Sequence, residues 1–192
     1  GKAFIPSEVL SKQGTLSETE IDIMRAHPQM GYDYLKDSYG LDATSKVVAL
    51  QHHEKVDGTG YPQHAEGNQI HKYARIVALA NVYDSMTSDT PYSKAMPPNE
   101  ALEYIMATAG SHFDFDLTNI FVRKIIPYPE GTIVSLSNGK IAIIETVVSD
   151  YPLRPVVKIF KPGVPVDEFE SLDLMKATNI TITGVRYEDP NN

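Results

Sequence analysis

The sequence predicts a mainly α-helical domain followed by a small antiparallel β module. Helical patterns occupy most of the first 126 residues, and Ile70 to Thr87 is the clearest long helix. There Ala74, Val77, Ala78, Ala80, Asn81 and Asp84 recur at helical spacing. At Pro127-Tyr128-Pro129 the pattern changes to short β-branched runs, two of them joined across Asn138-Gly139. An Asn-Gly turn between such runs is a strong hairpin signal. The expected division is therefore residues 1–126, helical, and 127–192, a small β-barrel-like module.

Ile5 to Gly14 reads as a loop with one short helical turn at Pro6-Ser7-Glu8-Val9-Leu10. Ser17 with Glu20 three residues later is a capping box, and Ile21, Met24 and His27 then fall near one face. Pro28 suits the first turn of a helix, so His27 sits at a junction between two helices. Asp42 to His53 reads as a helix. Gln63 to Gln69 is a polar loop in which His64 is expected to face solvent, and His71 is expected to be exposed at the next helix start. Pro97-Pro98-Asn99-Glu100 opens a helix through Ala101, Leu102, Ile105 and Met106, and Gly110 stops it. Asp114 is the expected N-cap of a helix from Leu117 to Ile126, with His112 structural beside it. Strands are expected at Thr132–Leu136, Ile141–Val148, Arg154–Phe160, Leu172–Leu174 and Ile180–Val185.

The 192 residues are 42% hydrophobic and 22% charged, an ordinary globular composition. A net charge of -8 argues against a general DNA-binding or anionic-membrane surface. There is no cysteine and hence no disulfide, which is compatible with a cytoplasmic setting, and no apolar run is long enough to span a bilayer. Phosphate-cradling Gly loops, serine triads and CxxC zinc motifs are absent.

The chemistry concentrates in His52-His53-Glu54-Lys55-Val56-Asp57-Gly58-Thr59-Gly60-Tyr61-Pro62. Neutral imidazoles are common ligands for Zn, Fe and Mn-type ions. Consecutive histidines on a helix point about 100° apart, so each suits a different ion of a close pair. Taken alone, such a pair is more often a plain helix end before a surface turn. His27 before Pro28 is, by itself, more often a cap or surface residue. Asp84 is an acid in a mostly apolar stretch, where a carboxylate needs a metal, a basic partner or a capping role.

The string HHExxDGxGYP resembles the signature of the HD-GYP family, metal-dependent phosphohydrolases that cleave cyclic di-GMP. The resemblance extends over residues 1 to about 126 and implies an HD-domain-like helical bundle. It implies His27, His52, His53 and Asp84 as metal ligands, Lys2 facing the phosphate, and Gly60, Tyr61 and Pro62 as a loop beside the site. The implied centre is di- or trinuclear, with iron or manganese; the ligand types also admit zinc. The implied reaction is metal-assisted attack of water on a phosphodiester. The family's Ser-Asp-Arg-Pro-Tyr-Arg-Lys-Ala is matched by Ser88 to Ala95, with Thr90 and Ser93 at the two Arg positions. Lys94 remains as a substrate-binding candidate, with a solvated surface charge as the alternative. Asn81 stands where a second Asp is common.

Gly1-Lys2-Ala3-Phe4-Ile5-Pro6 resembles the tail of the family's His-Asp-x-Gly-Lys motif, whose His-Asp pair would precede residue 1. The expectation is a part of a longer protein with an incomplete ligand set, impaired hydrolysis, and self-association into a homo-oligomer. Expected partners are cyclic di-GMP and a sensor-domain or diguanylate cyclase module. The alternative is a non-catalytic module that senses cyclic di-GMP or binds a partner protein.

Overall fold

The computed structural model of the chain describes residues 1–186; residues 187–192 of the expected β module lie outside them. The chain divides into two compact units, residues 1–119 and 120–192.

The first unit is helical. Its elements are α1 (Ser7–Leu10), α2 (Glu18–Arg25), α3 (His27–Leu35), α4 (Ala43–Gln51), α5 (Lys72–Thr87) and α6 (Pro98–Ala107). The helix α7 (Phe115–Lys124) runs across the division. The capping box at α2 is present in full: Glu20 N–H donates to the Ser17 hydroxyl, and Ser17 N–H donates to the Glu20 carboxylate. Asp42 caps α4 by accepting from Thr44 N–H. His71 caps α5 by accepting from Tyr73 N–H, and is exposed, as is His64.

In this unit α3 packs on α4, α4 on α5 and α5 on α6. Ala74, Ala101, Leu102 and Ile105 are wholly buried. Alanines at these positions let the helix backbones approach closely, so α5 can carry one face into the core. A second apolar cluster joins Ala65, Ile70 and Ala74, with Val48 and Val56 packed against it, and fixes the loop between α4 and α5. Among the described residues no helix is long and apolar enough to cross a membrane.

The second unit is a five-stranded antiparallel sheet: β1 (Ile133–Leu136), β2 (Ile141–Thr146), β3 (Val156–Ile159), β4 (Ser171–Asp173) and β5 (Ile182–Arg186). The strand order is β4-β3-β2-β1-β5. Val134 pairs with Ala142 on one side and Val185 on the other. Burial alternates along β1, β2 and β3, and the inward residues Val134, Leu136, Ala142, Ile144, Val157 and Ile159 form the core with Tyr128, Leu174 and Ile182. This is the period-two pattern of a sheet with one buried face. Gly139 turns the β1–β2 hairpin at a φ of 80°, a conformation that costs glycine little.

Asp114 ties the helical unit at its C-terminal end. Its Oδ1 accepts from Leu117 N–H as the cap of α7, and its Oδ2 pairs with Arg75 of α5 at 2.7 Å. The cap had been expected for a helix starting at Leu117; α7 begins two residues earlier, directly after Asp114. The Leu117 N–H, and then Arg75, hold the Asp114 carboxyl below the usual carboxylate range. Asp114→Ala is expected to cost the helical unit about 1–3 kcal/mol, and Asp114→Asn less, because Asn still caps. Because the folded pKa is depressed, the stabilisation is complete above the ordinary carboxylate range and is lost as pH falls below about 4. Urea melts of the three proteins at pH 7 and pH 3 measure both effects: the wild type should lose its advantage over Asp114→Ala at the lower pH.

Candidate metal centre

Three histidines from three chain positions meet at one point. His27 is the first residue of α3 and is buried, 5% exposed. Helix α2 ends at Arg25 and α3 restarts at once, with Pro28 in its first turn, where a missing N–H leaves no bond unmade. The junction expected from the sequence is therefore what turns His27 inward. His52 is the C-cap of α4, and His53 lies beyond it.

The expected divergence of consecutive helical histidines does not hold here. Helix α4 ends at Gln51, the chain turns, and Glu54 N–H donates back to the Gln51 carbonyl. The His52 and His53 rings consequently stand 4.2 Å apart, centroid to centroid, with planes 42° apart. All three histidines offer a ring nitrogen within 4.8 Å of the others.

The tautomers are fixed by the backbone. His27 Nδ1–H donates to the Met24 carbonyl at 2.7 Å, and His52 Nδ1–H donates to the Ala49 carbonyl at 3.0 Å. In a neutral imidazole the other nitrogen then carries only a lone pair. The two Nε2 atoms face one another at 3.3 Å. Two lone pairs so placed repel unless a cation lies between them. Two nitrogens bound to one tetrahedral zinc stand about 3.4 Å apart, so the pair fits a single ion without rearrangement. Backbone carbonyls behind ligating imidazoles are the usual orienting partners in metal sites.

His53 is held differently. Its ring makes no hydrogen bond among the described residues and instead lies flat on Tyr61, with centroids 4.8 Å apart and planes at 17°. The Arg25 guanidinium lies over the Tyr61 ring, 5.6 Å from its centroid. Gly60 is buried where a Cβ would collide with the backbone of Glu54 and Lys55, and Tyr61 N–H donates to the His53 carbonyl. The Tyr61–Pro62 bond is cis. Of the expected loop residues, Tyr61 thus lies against His53, and Gly60 seats on the backbone that follows it.

Two cavities flank the cluster. One, about 270 Å³, is lined by Gly1, Lys2, His27, Gly31, Leu35, Ala49 and His52. The other, about 400 Å³, includes Lys2, Met24, His27, His53, Tyr61, Ser85 and Tyr92. Lys2 borders both. Lys94 is exposed and lines a separate cavity, with Asp89, Thr90 and Ser93, that contains none of the three histidines. Asp84 is exposed on α5, and its carboxylate is not in the three-histidine group. Its neighbour Ser85 reaches the second cavity, and Asn81 lies one turn before Ser85 on the same helical face. Glu54 and Arg25 hold the loop beside the cluster, and sequence reasoning missed both. The available signals were an acid directly after two candidate ligands, and a base in the last turn before His27.

Burial, before any other cause, depresses the pKa of all three histidines; for His53 it falls to about 3, with the charges of His52 and His27 contributing. The rings therefore stay neutral, and available to a metal, below the ordinary histidine range. Two ordinary imidazoles would lose roughly a thousandfold in metal affinity between pH 7 and pH 5 by protonation. This cluster should lose much less, which chelator competition for Zn²⁺ or Mn²⁺ at the two pH values will measure. Linkage has the same sign for the metal-free fold. The unfolded chain binds protons that the folded one refuses, so stability should fall as pH drops below about 6.5.

The HD domain family profile matches residues 1–117, and that of the KOW domain associated with HD domain matches residues 133–190. A cyclic di-GMP phosphodiesterase of Pseudomonas aeruginosa is 37% identical over 180 residues, 92% of this chain and 43% of the relative. The cyclic di-GMP phosphodiesterase response regulator of Xanthomonas campestris pv. campestris is 43% identical over 115 residues, 59% of this chain and 30% of the relative. The chain therefore spans less than half the length of these relatives. Among solved structures, an HDG"Y"P protein of Bdellovibrio bacteriovorus aligns with a TM-score of 0.50 at 21% identity, over 62% of this chain and 39% of that one, and shows the same fold. The helical unit thus has its counterpart in one family: this chain belongs to the HD domain family, of the HD-GYP type.

Proposed function

We propose that the helical unit holds part of a metal-dependent centre for hydrolysing cyclic di-GMP. The observation that carries this reading is the opposed pair of Nε2 lone pairs, 3.3 Å apart, on histidines whose Nδ1 atoms are already committed. The arrangement is costly without a cation and suited to one with it. The names of the relatives supply the substrate.

His27 and His52 would hold one ion, and His53 would serve the same ion or an adjacent one. Asp84 joins from α5 only if its exposed side chain turns inward. Iron or manganese is the proposed metal, with zinc admitted by the same donors. When bound, the metal supplies Lewis-acid polarisation of the phosphoryl oxygen and activates water for attack. The chain's own residues do the rest. Lys2 sets a positive charge at the mouth of both cavities, where an anionic phosphodiester arrives against the overall negative charge of the protein. Tyr61 covers one face of His53 and lines the larger cavity, and Gly60 and Pro62 hold it in the loop beside the substrate. Lys94 serves a distal part of the substrate through the neighbouring cavity. Three histidine ligands are fewer than two or three ions require, so turnover by this chain alone is proposed to be weak. The proposed setting is the cytoplasm, in a homo-oligomer or beside a sensor or cyclase module.

The second reading is a cyclic di-GMP-sensing or protein-interaction module. It is favoured by Thr90 and Ser93, whose short side chains leave the loop without a guanidinium for the phosphates. Incubation of the chain with cyclic di-GMP and Mn²⁺ or Fe²⁺ separates the two. The enzyme reading expects slow, metal-dependent release of linear product, reduced at least a hundredfold in His27→Ala and His52→Ala. Tight binding with no product in any metal would favour the sensing module. Turnover that survives excess chelator would overturn the metal reading.

A further inference from the structure

Glu54 is a buried acid to which the proposed reaction gives no role. It is 3% exposed and no cation pairs with it among the described residues. Its two oxygens are engaged by the loop that follows: Oε1 accepts from Gln63 N–H at 2.6 Å, and Oε2 accepts from Ala65 N–H at 3.0 Å. Charge-assisted bonds to backbone N–H groups are short and strong, and they satisfy donors that burial would otherwise orphan. The same loop is pinned from its other end by Tyr61 N–H to the His53 carbonyl and by the close seat of Gly60 on the Glu54 backbone.

This matters because, among the described residues, His53 is the one cluster histidine whose ring has no hydrogen bond. His27 and His52 take their orientation from backbone carbonyls; His53 takes its from the flat contact with Tyr61. Ligating histidines ordinarily have a polar partner behind the ring, and its loss typically weakens metal binding about 10–100-fold. We propose that Glu54 is a positioning residue for the metal centre: by holding Gln63 and Ala65 it fixes the Tyr61 loop, and Tyr61 in turn sets the ring of His53. The stack substitutes for the missing hydrogen bond, and Glu54 is its anchor. The inference rests on the metal-centre reading for its purpose, although the mechanical link from Glu54 to His53 can be measured without metal.

The test is carried out on the full metal-free chain by histidine ring NMR, with the six histidines assigned by single substitutions. Tyr61→Leu removes the aromatic ring and sets the reference shift of an unstacked His53. Glu54→Gln keeps the shape but offers one of the two backbone donors an amide in place of an oxygen. The expected result is that the His53 resonance in Glu54→Gln moves toward its position in Tyr61→Leu, while His27 and His52 stay near their wild-type positions. Chelator competition on the same proteins should show Mn²⁺ or Zn²⁺ affinity reduced about tenfold or more in Glu54→Gln. A His53 resonance unmoved by Glu54→Gln, when Tyr61→Leu moves it, overturns the inference. If circular dichroism shows that Glu54→Gln does not fold, Gly60→Ala displaces the same loop and leaves the acid intact. An unmoved His53 there overturns the inference equally. Wild-type protein that binds neither metal overturns the metal reading alone, since the ring shifts are read without one.

Discussion

Two imidazole nitrogens, each with its lone pair turned toward the other across 3.3 Å, set the terms for the helical unit. The arrangement requires both Nδ1 atoms to be committed elsewhere, and both are committed to carbonyls three residues back in their own chain segments. It also requires the rings to stay uncharged, which burial enforces. Neither histidine is in mid-helix. One opens α3 and the other ends α4, where carbonyls and side chains are free to meet in ways that a continuous helix forbids.

The cost of this arrangement is borne by the packing around it. The α3–α4 contact brings the two helix ends together, and α5 lies against α4 through alanines that let the backbones come close. A wider side chain at Ala74 or Ala78 would push α5 outward and take Ser85 away from the cavity beside His53. The loop that carries Tyr61 is built on a different principle. Its ends meet through backbone bonds, its interior is held by a buried carboxylate, and its aromatic residue stacks on the His53 ring and has a guanidinium over it. The hydrophobic cluster of Ala65, Ile70 and Ala74 closes the loop on the far side. The β unit shares none of these features. Its core is mostly aliphatic and alternates in and out along β1, β2 and β3, and no metal-binding cluster is found there among the described residues.

Much of this was legible in the sequence because it is local. The capping box at Ser17, the cap at Asp114, the Pro28 restart, the long helix through Ala74 and Ala78, and the hairpin at Asn138-Gly139 each depend on residues a few positions apart. The Gly-Tyr-Pro string likewise announced a tight loop, and its resemblance to a known signature pointed to the family that the profile then matched. The candidates His27, His52 and His53 were readable as residue types in a suggestive order.

What only the tertiary structure decided is which of those candidates meet, and in what geometry. Sequence spacing placed His52 and His53 on one helix and split them between ions; the end of α4 at Gln51 instead brings their rings together, and the closest facing pair is His27 with His52. Asp84 shared its periodic stretch with buried alanines, yet the turn of α5 carries it to solvent and presents Ser85 to the cavity. Glu54 looked like one acid among several, because nothing in a string of letters shows that its oxygens reach N–H groups nine and eleven residues ahead. Short-range periodicity fixes which residues share an element. The crossing of helices and the course of loops, set by packing and by the need to satisfy every buried polar group, decide which of them share a site.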